Sequence, residues 1–265
     1  MTTDPTSLEH ELAIFRTEEE AAQQFFFGYL SLQFVPGKNP DVLARMNETA
    51  TFWITTRYAL LMSAFVVLGR IFDQDPKSLH NIDKLLGVVT QDIASLSAAA
   101  LEQRRIAQGM TPKDAAAYAC GKYDLTMDDV RGMRKAVGQW RKVYEARYRE
   151  IRHKIFAHKS IDRAGADALM VNTRVDEVRE LLGFLDALYQ SLSQLHMNGI
   201  KPNVTPVKFE LPPTPGSGKP GERIFRESGD VLYGMIDPRL RSISDPQLSA
   251  EQAFPPRSSN LSPTD

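Results

Sequence analysis

Cysteine is almost absent from this chain: Cys120 stands alone. A single thiol excludes an intramolecular disulfide framework and a multi-cysteine zinc site, and it fits a reducing compartment. In its alanine-rich surroundings it reads as a small buried apolar group. Excess charge is missing too: 32 basic side chains face 33 acidic ones, a formal net charge of −1. The whole molecule is therefore no polyelectrolyte, and any contact with nucleic acid has to come from a local patch. Long hydrophobic runs are lacking. The most apolar window, Tyr58 to Gly69, lies between Arg57 and Arg70, short of the roughly 20 residues that cross a bilayer. It reads as a buried core helix. No basic stretch followed by an apolar one opens the sequence, so neither a secretory signal nor a membrane association is expected and the cytoplasm is the expected location. Alternating β-branched residues are scarce, which argues against sheet.

What is present is helical periodicity from Ser7 to about Gly199, with 42% hydrophobic residues to form a core. The expected fold is all-α, an up-and-down helical bundle with extra helices. A first helix is expected from Ser7 to the breaker "PGKNP", and a second from Pro40 to Phe72. Ser78 is the expected cap of a short helix ending at Gly87, and a further run ends at Gly109. Thr111 with Pro112 opens another helix that stops at Gly121. Thr126 with Asp129, in capping-box spacing, opens a long one reaching about Ala157. After a connector at 162–166, Thr173 with Asp176 repeats the signal. The stripe of Val178, Leu181, Leu182, Leu185, Leu188, Leu192 and Leu195 follows, ended by Asn198-Gly199. Trp53, Trp140 and Phe25 to Phe27 are expected in the core or at a dimer interface. Eleven of the 16 prolines lie beyond Ile200. The domain division is therefore placed there: 1–200 an all-α domain, 201–265 a Pro/Gly/Ser-rich tail, largely irregular. Within the tail, Arg223 to Asp237 is apolar enough to lie as a strap on the domain's own surface, with docking of a partner as the second choice.

Between Arg131 and Ser160 ten basic residues face only Glu145 and Glu150. Cations complement the C-terminal end of a helix dipole, but Arg131 to Lys142 lie nearer the other end, so a phosphate-bearing partner is the more economical reading. The run finishes in "RHKIFAH", Arg152 to His158. At about 100° per residue these two stand about 240° apart around an ideal α-helix. A single straight helix does not aim both at one point. Either the last turn loosens or two chains complete each other's site, which suggests a dimer. Arginine offers a permanently charged fork to phosphate oxygens, and histidine exchanges a proton near neutrality. The pair suits cleavage of RNA by its own 2′-hydroxyl, with His158 moving the proton and Arg152 stabilising charge on phosphorus, without metal or cofactor. His153 and His158 are five apart, about 140° round a helix, which is poor spacing for metal ligands. Arg70 and Asp73 are expected to form a structural ion pair or a support for the site.

"RHKIFAH" resembles the HEPN ribonuclease motif: an arginine, a polar residue directly after it, then a histidine near the end of a bundle helix. "LLMSAFVVLGRIFDQD" followed by "SLHNIDKLL" is similar to the AbiU-type abortive-infection branch of that superfamily, and the likeness covers roughly Thr51 to Leu195. The resemblance implies a dimeric all-α bundle acting as a metal-independent endoribonuclease in toxin–antitoxin or phage-defence systems. By matching position it makes Arg152 and His158 the catalytic pair and His153 the polar neighbour. Arg149, Lys154 and Lys159 are expected to grip the RNA backbone, and a transfer RNA is the substrate that family analogy offers. The alternative is a non-catalytic helical module of the same fold that dimerises and recruits an antitoxin or defence partner.

Overall fold

The computed structural model describes residues 7–157, 173–210 and 216–237. Among these no strand occurs, as the all-α reading requires. In chain order the helices are α1 (Leu8–Lys38), α2 (Pro40–Glu48), α3 (Ala50–Ile71), α4 (Ile82–Gln91), α5 (Ala98–Ala107), α6 (Pro112–Ala119), α7 (Met127–Val143), α8 (Val175–Asn198) and α9 (Pro220–Gly234). A 3₁₀ turn at Ile93–Leu96 precedes α5, and wide π-helical turns prolong α7 to Ala157. The connector at 162–166 and the tail beyond Asp237 lie outside the described residues.

Where the signal is local, the caps fall as the sequence implies. Thr111 accepts from the Asp114 amide with Pro112 behind it, Thr126 and Asp129 form a reciprocal capping box, and Gly199 ends α8 at φ +61°. Elsewhere a stronger competitor takes the position. Asn81, not Ser78, caps α4 by accepting from the Lys84 amide at 2.8 Å, because the Ser78 hydroxyl donates to Asp73. α1 continues through Pro36 to Lys38, and the following Asn39 caps α2, accepting from the Asp41 amide at 3.0 Å. The expected single helix from Pro40 breaks at Thr49. Thr173 does not cap α8; its N-cap is Arg174, with no side-chain hydrogen bond, and burial of the leucine stripe carries this helix instead. Cys120 is exposed, not buried, since it sits just beyond the end of α6.

The chain divides into two compact units. One combines the described residues up to Ala22 with Met62–Lys208; the other combines Gln23–Leu61 with those from Phe209 onward. In the first, the C-terminal part of α3 runs antiparallel to the end of the α7 run, with Phe72 stacked on Tyr144 at 5.4 Å and Phe65 on Tyr148 at 5.5 Å. Trp140 stacks on Phe184 of α8 at 5.8 Å. After Gly199 the chain turns back along α8. Ser191 donates to the Asn203 carbonyl at 2.7 Å, and the Val207 amide donates to the Gly183 carbonyl at 3.1 Å. A Cβ on Gly183 would stand 2.2 Å from the Val207 carbonyl oxygen, so glycine is what allows the backbones to meet.

In the second unit Arg223 to Asp237, expected to be a strap, belongs largely to helix α9. Pro220 takes its first position, Glu222 accepts from the Lys219 amide at 2.8 Å, and Phe225 and Leu232 bury one face. Gly221 lies against Phe27, where a Cβ would come within 2.4 Å of the ring, and Phe27 packs on Phe209 at 4.6 Å. α3 is long and apolar enough to cross a membrane by length and composition, and a third (33%) of its most apolar window is buried here. Its N-terminal part instead exposes Phe52 (60%), Ile54 (64%) and Tyr58 (50%).

Candidate active site

Arg152 begins the last π-helical turn, Arg152–Ala157, and the preceding Tyr144–Tyr148 is π-helical as well. The cause lies in the partners across α3. Four residues of α-helix advance about 400° and overshoot a full turn by about 40°. The i→i+5 bonding of a π turn winds less per residue, so Tyr144, Tyr148 and Arg152 stay facing α3 along one line. Tyr148 is fully buried and donates to Glu177 at 2.7 Å; burial, then this hydrogen bond, push its phenol well above the ordinary value.

Helical side chains point back toward the N-terminus, and the half-buried Arg152 does so over Gly69, between Phe65 and Phe72. A Cβ at Gly69 would lie 2.6 Å from both its Cδ and its Nε. Glycine at 69 is the bed on which the guanidinium rests. Two further groups lie within range of its charge. The Asp73 carboxyl is held below its usual range chiefly by the Ser78 hydroxyl, with the Arg152 charge adding to the effect. Tyr144 is pushed up by burial, a push that Arg152 opposes, first through its charge.

The other expected site residues are distributed differently. His153 and Arg149 are exposed, and Lys154 pairs with Glu150 at 3.2 Å. His158 and Lys159 lie outside the described residues. The expected Arg70–Asp73 pair does not form: Arg70 binds Glu18 through Nε at 2.9 Å and Nη2 at 2.7 Å, which leaves Asp73 to Ser78 and Arg152. Part of the basic bias along the run is structural. Arg134 donates to the Leu86 carbonyl at 3.0 Å, Arg141 pairs with Asp83 at 2.7 Å, Arg147 with Glu177 at 3.4 Å, and Arg131 with Asp128. Lys135, Lys142 and Arg149 remain as exposed cations on the run.

Arg152 thus lies near a helix end, on Gly69, with a buried tyrosine and a carboxylate within range of its charge. Compared with known families, the chain matches the HEPN_AbiU2 model, described as AbiU2, over residues 8–210. It belongs to this family. It is thus an abortive-infection-related HEPN domain, and the match takes in all of α1 to α8 together with the extended return along α8. No curated protein and no solved structure matches the chain. Gly69 and Tyr144 carry no signal in the sequence of this HEPN domain that points to Arg152, whereas Asp73 is marked there with Arg70 as a structural ion pair or a support for the site.

Proposed function

We propose that this HEPN domain is a metal-independent endoribonuclease of a toxin–antitoxin or phage-defence system, working in the cytoplasm as a homodimer. The observation that carries the reading is the seating of Arg152 on Gly69, with Tyr144 and Asp73 within range of its charge. A guanidinium held this way is oriented before substrate arrives, which is the condition for stabilising charge that develops only in the transition state. The 2′-oxygen attacks phosphorus and the 5′-oxygen leaves, giving a 2′,3′-cyclic phosphate. His158 moves a proton at the attacking or leaving oxygen, Arg152 stabilises the phosphorane oxygens, and His153 is the polar residue beside it. Arg149, Lys154 and Lys159 hold the RNA backbone; Lys154 must leave Glu150 to do so. The exposed Ile54 and Tyr58, one turn apart on α3, supply an apolar face that a second copy can cover.

The test is His158→Ala in the full chain, assayed on labelled total RNA. Cleavage should fall by about a hundredfold or more, the scale of a lost general acid or base, with circular dichroism and dimer mass unchanged. Equal cleavage by both proteins would remove His158 from the reaction.

A further inference from the structure

The cations of the α7 run divide into two sets. Arg134 and Arg141 reach back to α4, Arg147 binds Glu177, and Arg131 and Lys154 are taken by Asp128 and Glu150. Lys135, Lys142 and Arg149 are exposed and make no ion pair with a described residue. Lys135 and Lys142, seven residues apart, share one face of α7 to within about 20°. Since Lys142 precedes Tyr144 by two residues, that face looks away from α3. Beyond it the winding changes. Where Tyr144, Tyr148 and Arg152 keep one line, Arg149 and His153, each directly after a member of that line, stand about a quarter-turn from it. Burial agrees: Arg149 and His153 are exposed, whereas Arg147 and Ile151, directly before the same members, are half-buried and buried. The exposed side therefore winds from Lys135 and Lys142 on the outer face, through Arg149 and His153, to the edge at which Arg152 lies over Gly69. Glu145, half-buried, is the acid on this path between Lys142 and Arg149.

Two glycines give an independent observation. Gly132 and Gly138 stand three residues before and after Lys135, inside α7, where glycine is disfavoured relative to alanine. A Cβ at either would meet nothing within 4 Å, so packing inside the protein does not call for them. A helix face left bare between its cations is what allows another backbone to come close.

We infer that this side of α7 is a track for a single RNA strand, leading it to Arg152 and making flanking length a condition of tight binding; the inference rests on the ribonuclease reading. A sugar–phosphate strand offers a repeating charge to cations placed at intervals and needs no base contact to be held. Lys135 to Arg152 is about 25 Å of helix at ~1.5 Å per residue. At about 3.4 Å of stacked strand per charge, that span takes on the order of seven nucleotides to one side of the cleaved phosphate.

The probe is a fluorescein-labelled oligouridine of about twelve nucleotides, 2′-O-methylated so that it cannot be cleaved, titrated into the full chain by anisotropy across a salt series; on a single strand each phosphate contact adds about 0.7 to the slope of log K against log salt. Lys135→Ala with Lys142→Ala should lower that slope by about 1.4 and the affinity on the order of tenfold at physiological salt, with the melting temperature unchanged. Gly138→Leu should keep or raise the melting temperature and still weaken binding. Affinity should grow with strand length until the track is filled, and stop growing sooner in the double variant. A slope that the double variant leaves unchanged, no binding of the strand, or polyglutamate bound as tightly as the RNA would overturn the inference, the last by assigning the track to an acidic protein segment. Because the probe cannot be cleaved, binding that depends on Lys135 and Lys142 in a protein that cleaves no RNA would sink only the ribonuclease reading. Cleavage that needs His158, with binding indifferent to both lysines, would sink only the track.

Discussion

Gly69 is where a single residue decides most. Alanine there would raise helix propensity by about 1 kcal/mol, but its methyl would occupy the space of the Arg152 guanidinium. Since that guanidinium is the far end of a flexible side chain, it moves and the fold stays. Gly69→Ala should keep or raise the melting temperature while cleavage falls on the order of a hundredfold; unchanged cleavage would show that the seat does not matter. His196 gives a second prediction at this scale. Burial, and then the charge of Arg104, lower its pKa, against the pull of Glu9, which accepts from Nε2 at 3.1 Å. With a folded pKa below the ordinary value of about 6.5, the unfolded chain binds this proton first. Stability should thus fall as pH drops from about 6.5 toward the folded pKa and be insensitive to this group above that window. A melting series across pH checks it, with His196→Gln flattening that part of the curve. Arg152 was legible in the sequence because its signal is local. Its seat was not, since Gly69 comes from a helix some 80 residues earlier and only packing joins them.

Helices were readable wherever their ends are written locally, as at Thr111, Thr126 and Gly199. They were misread where a tertiary partner outbids the local one: Ser78 is drawn to Asp73, Thr173 yields to burial of the leucine stripe, and α9 hides in proline- and glycine-rich sequence because its apolar face is only two or three side chains wide. The π-helical end of α7 was beyond reach for the same reason, since its winding follows from Phe65 and Phe72 of another element. The extended return along α8 gives the test at this scale. Gly183→Ala sets a methyl against a backbone carbonyl that has no rotamer to escape by, so it should cost about 1 to 3 kcal/mol in urea unfolding. A neutral result would mean that the 201–208 segment is not held to α8.

At the scale of the whole molecule, composition announced an all-α chain and the motif announced its family. The division into two units was invisible, because α1 and α3 each pass through both without a break in periodicity. The exposed Ile54 and Tyr58 side of α3 is what a dimer would cover, so Ile54→Glu with Tyr58→Glu should halve the mass measured by light scattering, and a mass unaffected by both would move the interface elsewhere. The central claim concerns chemistry, and product-end analysis reaches it most directly. Total RNA is incubated with the wild type, Arg152→Ala and His158→Ala in excess EDTA. Cleavage by the wild type alone, leaving 2′,3′-cyclic phosphate and 5′-hydroxyl ends, is the predicted result. Cleavage that stops in EDTA, leaves other ends, or survives in the Arg152→Ala and His158→Ala proteins would contradict it.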